Sequence, residues 1–178
     1  MKVYEFTIVA SGFHPDADDI ANIFFEAGCD DATIAFQKGV LILSFDREAL
    51  SFSAAVISAL EDVLKTGAKV ERFEPDHLVS LADIAKRTGL SRSALTNYHK
   101  GERREGFPTP IARVTSDSPL YDWCEVATWL HERQQIGREE VVQARIVKEA
   151  NLVICAHELK PDHFVERMTE RIRELEVA

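Results

Sequence analysis

Along residues 3–10, Tyr4, Phe6 and Ile8 alternate with Glu5 and Thr7, the period-two pattern of a strand with one buried face. Residues 16–27 change to helical spacing, with Ile20, Ile23, Phe24 and Ala27 on one side and Gly28 as a stop. Residues 32–36 and 40–45 return to strand patterning on either side of a turn at Gln37, Lys38 and Gly39. Residues 50–64 predict a second helix that turns Phe52, Val56, Ala59, Leu60 and Val63 inward, with Gly67 beyond its end. Residues 69–73 supply a last short strand. The order β-α-β-β-α-β predicts a four-stranded antiparallel sheet with two helices on one face.

The period then changes again. Glu74-Pro75-Asp76 marks a boundary, and residues 80–101 read as two short helices around a tight turn. Ser80 suits the cap of the first helix and Asp83 its positive end. Leu81, Ile84, Ala85 and Thr88 share a side, and Gly89 permits a left-handed stop. Ser91 caps the second helix. There Ala94, Leu95 and Tyr98 occupy one arc, while Arg92, Ser93, Thr96, Asn97 and Lys100 occupy the other. A proline-punctuated stretch, 106–110, leads to a predicted hairpin of residues 111–115 and 120–123 around the turn 116–119. Residues 122–134 look helical, with Val126, Trp129 and Leu130 apolar. Residues 137–177 read as two further helices, one carrying Val142, Ile146, Ala150 and Val153, the other starting near Pro161 and carrying Phe164, Met168, Ile172 and Leu175.

Charge divides the chain in the same places. The formal net charge is -9. Residues 1–78 hold 6 Lys/Arg against 14 Asp/Glu, a balance of -8, residues 79–135 hold 8 against 7, and residues 136–178 hold 7 against 9. Between positions 86 and 104, Lys86, Arg87, Arg92, Lys100, Arg103 and Arg104 face one acid, Glu102. A local stripe of cations among Ser, Thr and Asn suits phosphate and base-edge contacts in a major groove. The acidic remainder opposes non-specific DNA binding, within the 8–10 Å or so over which salt leaves charges unscreened.

Several landmarks in order are Ile84-Ala85, Gly89-Leu90-Ser91-Arg92, Gly101-x-Arg103, Phe107-Pro108-x-Pro110 and Trp123-x-x-Val126-x-x-Trp129-Leu130. Together they resemble the winged helix-turn-helix of phage-excisionase and MerR-type DNA-binding proteins, over residues 79–134. The resemblance implies that the second helix and the wing contact DNA. The matching positions are Ser91, Arg92, Ser93, Thr96, Asn97 and Lys100 in and just before the helix, Arg103 and Arg104 entering the wing, and Arg113 on it. Lys86, Arg87, Arg103 and Arg104 are then expected to dock on phosphates, and Arg92, Thr96, Asn97 and Ser93 to read bases. The first segment resembles the ferredoxin-like plan. The expected fold class is therefore α+β in three parts: a ferredoxin-like domain over 1–76, a winged helix-turn-helix over 77–135 and a C-terminal helical hairpin over 136–178.

The expected function is that of a cytoplasmic, homodimeric transcriptional regulator on double-stranded DNA, because sites read by helix-turn-helix proteins are commonly paired. Two rivals remain open. An antitoxin-like or adaptor protein would bind a basic partner through its acidic N-terminal domain and use DNA for autoregulation. Alternatively, that domain would sense a small ligand. No glycine-rich phosphate loop, G-x-S-x-G elbow or H-E-x-x-H is present, so no enzyme and no cofactor are expected. Cys155, His157 and His163 lack a fourth metal ligand, and Asp16, Asp18, Asp19, Asp30 and Asp31 read as helix-end carboxylates rather than a cation site. The three cysteines imply no disulfide framework, and no apolar run approaches membrane-spanning length.

Overall fold

Residues 3–10 lie within β1 (Lys2–Ser11), the central strand of a sheet built by the first half of the chain. A computed structural model describes residues 1–99, 106–156, 166–171 and 173–174. The architecture is mixed α+β, in two compact units: residues 1–75 with 149–178, and residues 76–148.

In the first unit, β1 is followed by α1 (Ile20–Glu26), β2 (Ala32–Gln37), β3 (Val40–Ala49), α2 (Phe52–Lys65) and β4 (Lys69–Glu74). The sheet order is β2-β3-β1-β4, and each neighbouring pair is antiparallel. Register sets Phe6 opposite Phe45, and Ile8 opposite both Leu43 and Phe73. Those side chains form the apolar face, where Phe52 of α2 meets the rings of Tyr4, Phe6 and Phe73 edge-on. Ser51 caps α2 by accepting from the amide of Ala54 at 3.2 Å.

The first helix begins four residues later than its apolar spacing predicts. Asp19 lies at φ 67°, in the left-handed region, so helical geometry starts only at Ile20, and the Asn22 amide donates to the Asp19 carboxylate. Ile23 is exposed, whereas Phe24 is buried.

One polar group is at the centre of this unit. Arg47, at the end of β3, is buried and uses all five of its N–H groups. It grips Asp31 with two bonds of 2.8 Å, reaches Asp62 and Ser58 on α2 at 2.8 and 3.1 Å, and donates to the carbonyl of Gly28 at 2.7 Å. Its carboxylate partners hold its pKa above the ordinary arginine value against the opposing effect of burial. Gly28 has φ 102°, and a Cβ there would meet the Asp62 carboxylate at 3.0 Å. That carboxylate is pinned by Arg47 and by Lys65, so it has no room to yield. The neighbouring Cys29 thiol is pushed up to about 11 by burial and by the charge of Asp62.

Residues 136–178 do not stand apart as one helical domain. The first part of α6 (Arg138–Cys155) belongs to the second unit and its last turns to the first. The cause on the first-unit side is Asn151, whose amide accepts from the Phe73 amide and donates to the Phe73 carbonyl, both at 2.9 Å. The side chain thus occupies the position a further strand would take beside edge strand β4. Helical residues 166–171 carry buried Met168, whereas Pro161, Phe164, Ile172 and Leu175 lie outside the described residues.

Arg47→Ala should destabilise the protein by about 3–5 kcal/mol, because Asp31 loses its counter-ion, Asp62 keeps only the exposed Lys65, and the Gly28 carbonyl loses its donor. Asn151→Ala should cost about 1–3 kcal/mol through the two orphaned backbone groups. Urea denaturation followed by circular dichroism checks both, and a loss below about 1 kcal/mol for Arg47→Ala would contradict the first.

Candidate nucleic-acid interface

The second unit begins with β5 (Leu78–Val79), which pairs antiparallel with β6 (Tyr121–Asp122). Between them lie α3 (Leu81–Thr88) and α4 (Arg92–His99), and α5 (Trp123–Glu132) follows β6 directly. Ser80 and Asp83 form a reciprocal capping box on α3. The Ser80 oxygen accepts from the Asp83 amide at 3.2 Å, while the Asp83 carboxylate accepts from the Ser80 amide at 2.9 Å. Those bonds hold the Asp83 carboxyl below the usual carboxylate range. Gly89 ends α3 at φ 70°, and the Ser91 hydroxyl accepts from the Ala94 amide at 3.2 Å to start α4.

Two side chains set the rotation of α4. Leu95 and Tyr98 are buried in a cluster with Val79, Ile84, Tyr121, Trp123, Val126, Trp129 and Leu130. Phe107 packs its ring against Tyr98, Tyr121 and Trp129 at 5.1–6.2 Å. The Tyr98 hydroxyl accepts from Gln135 at 3.1 Å. The opposite face of α4 is thereby turned to solvent. Ser91, Arg92 and Ser93 are exposed and Thr96 and Asn97 half-buried, with Lys86 exposed on α3. Thr96 also donates its hydroxyl to the Arg92 carbonyl at 2.9 Å, which leaves its oxygen free to accept.

The remaining sequence candidates fall in three places. Arg87 is turned inward: its guanidinium lies 5.1 Å from the Trp123 ring centroid and donates to the Asp76 carbonyl at 2.7 Å. Arg113 is exposed at φ 52°, in a turn where its carbonyl accepts from the Ser116 amide at 3.0 Å. Lys100, Arg103 and Arg104 lie outside the described residues. The predicted hairpin is shorter than its sequence pattern, with a single antiparallel bridge between Ala112 and Leu120. Residues 121–122 pair with β5 instead, and Trp123 already belongs to α5, capped by Asp122.

Three further contacts involve residues outside the sequence candidates. Arg133 lies 3.9 Å from the Trp129 ring centroid and donates to the Trp129 carbonyl at 3.1 Å. His99 hydrogen-bonds the buried Tyr121 hydroxyl at 2.8 Å, and burial raises the pKa of that phenol. Lys148 pairs with the Asp122 carboxylate. Among the described residues, no three His, Cys, Asp or Glu side chains group to hold a metal ion, and no helix is long and apolar enough to cross a membrane. No protein-family model, curated protein or solved structure matches the chain.

Asp83→Ala should cost about 0.5–1 kcal/mol near pH 7. Because the folded state lowers the Asp83 pKa, that contribution is present above the ordinary carboxylate range and disappears as pH falls through and below it. Thermal unfolding of wild type and variant should therefore differ at pH 7, and the gap should narrow as pH falls below the ordinary carboxylate range. An undiminished gap at pH 3 would contradict the electrostatic part.

Proposed function

We propose that the chain is a sequence-specific binder of double-stranded DNA, a transcriptional regulator that lays α4 in the major groove. The observation that supports this most directly is the rotation of α4. Leu95 and Tyr98 point into the core, so Arg92, Ser93, Thr96 and Asn97 form a polar outer face with no acid between Ile84 and His99. Arg92 and Asn97 carry the fork and the amide suited to guanine and adenine edges, and Lys86 supplies a phosphate contact. The helix pair, the short turn at Ala112 and Leu120, and α5 together make a reduced winged helix-turn-helix, with Arg113 at the wing. The strand order β2-β3-β1-β4 beneath α1 and α2 is the ferredoxin-like plan on this reading. Pairing of two copies on a palindromic site in the cytoplasm completes the proposal.

Selection from a random duplex pool at about 150 mM salt should enrich one motif. Arg92→Ala and Asn97→Ala should each weaken that motif by about 1–3 kcal/mol and relax the choice at one base position. Lys86→Ala should weaken all sequences similarly and reduce the slope of log affinity against log salt by about one unit. A pool that enriches nothing, or an Arg92→Ala protein with unchanged preference, would falsify the assignment.

A further inference from the structure

Arg87 contrasts with Arg47. A guanidinium carries five N–H donors, and the described hydrogen bonding of Arg87 consists of one bond, to the Asp76 carbonyl. Among the described residues, no carboxylate pairs with it. Asp83 and Asp76 are close enough to favour its charge, yet burial outweighs them and lowers its pKa. A half-buried cation with no carboxylate among its described partners is costly to keep.

The uncommitted side of Arg87 has space beside it. Arg87 and Thr88 line a shallow, largely open cleft of about 610 Å³ within the second unit. Trp123 and Ile136 form apolar wall, His131 and Gln134 contribute ring and amide groups, and Glu140 of α6 supplies the one carboxylate. This volume lies in the ordinary range for small-molecule sites, about 300–1,000 Å³. Thr88 adds little, since its hydroxyl donates to the Ile84 carbonyl and accepts from the Leu90 amide.

We propose that this cleft binds a small organic monocarboxylate, its anionic end on the open edge of Arg87 and its apolar body against Ile136 and Trp123. Glu140 selects the charge. Arg87 attracts and Glu140 repels either anion, but the cost of leaving water grows with the square of the charge, so a phosphate dianion loses more than a single delocalised charge on entering the site. The site requires no DNA. Its consequence for DNA binding, through the step from Arg87 and Thr88 across Gly89 into α4, rests on the function proposed above.

The test is a DNA-free titration of the full chain with benzoate, phenylacetate and hexanoate, read by calorimetry and by fluorescence. Sodium chloride and inorganic phosphate at matched ionic strength serve as comparators. Both tryptophans of the chain, Trp123 and Trp129, are in the second unit and report on it. At least one carboxylate should bind saturably, about tenfold or more tighter than phosphate. Arg87→Gln should reduce that affinity about tenfold or more. Glu140→Gln should tighten it several-fold and relax discrimination against phosphate, and this variant leaves the Arg87–Trp123 stack in place should Arg87→Gln fail to fold. The proposal is overturned if none of the three carboxylates binds saturably, if phosphate binds as tightly, or if Glu140→Gln changes neither affinity nor selectivity. Since no DNA is present, failure here leaves the DNA-binding test unaffected.

Discussion

Burial of Leu95 and Tyr98 decides what the second unit presents to its surroundings. Helix α4 has eight residues, and isolated helices below about 12–15 residues are marginal in water. Its existence therefore depends on packing, and full burial of a large apolar side chain contributes on the order of 1.5–3 kcal/mol. Those two anchors, three positions apart, leave one rotation for the helix. The outward set of Arg92, Ser93 and Asn97 follows from that constraint. The flanking order serves the same end. The capping box on α3, the left-handed Gly89 and the Ser91 cap fix where each helix starts and stops. The β5–β6 pair and the Asp122 cap then bring α5 and its Trp129 against Tyr98 of α4.

The buried Arg47 and the half-buried Arg87 divide a structural from a proposed binding role by their degree of saturation. Arg47 has every donor engaged, across the ends of α1, β2, β3 and α2, and has nothing left to offer a ligand. It acts as an internal tie in a unit whose sheet otherwise rests on aromatic packing. Arg87 stacks on Trp123 but retains donors, so the same side-chain chemistry leaves a positive edge beside open space. Charge alone does not separate these cases, because both residues also lie against an aromatic ring, Phe45 for Arg47 and Trp123 for Arg87. The count of engaged donors does.

Local signals were legible where one stretch of chain determines its own conformation. The α3–α4 pair is marked by Ser80, Asp83, Gly89 and Ser91 within a dozen residues, and the strand pattern of β1 is carried by Tyr4, Phe6 and Ile8. The failures are of two kinds. Some are backbone choices that spacing does not encode. Asp19 in the left-handed region delays α1, and pairing of residues 121–122 with β5 takes the predicted second strand away from the wing. Others join distant positions. Asn151 reaches Phe73 across 78 residues, and Arg87 reaches Trp123, which makes a predicted phosphate contact part of the packing. Helical periodicity presents Asn151 only as a polar interruption in an apolar stripe, because its partner is backbone and leaves no trace in composition.

The acidic balance of the chain bears on the proposed DNA contact through distance rather than through the total. At physiological salt, charges interact over roughly 8–10 Å. Phosphates within that reach of Lys86 and Arg92 meet no carboxylate between Ile84 and His99, and one exposed carboxylate, Asp83, a turn before Lys86. The 14 acids of residues 1–78 against 6 Lys/Arg repel any DNA that approaches them within the same range. Added salt weakens both effects, the attraction as well as the repulsion. The net salt slope should consequently be shallower than a count of outward cations implies, and a larger share of the discrimination must come from base-edge contacts, which salt screens least. On the proposed function, such a charge pattern gains selectivity by suppressing non-specific binding, and the acidic half contributes to recognition without touching a base.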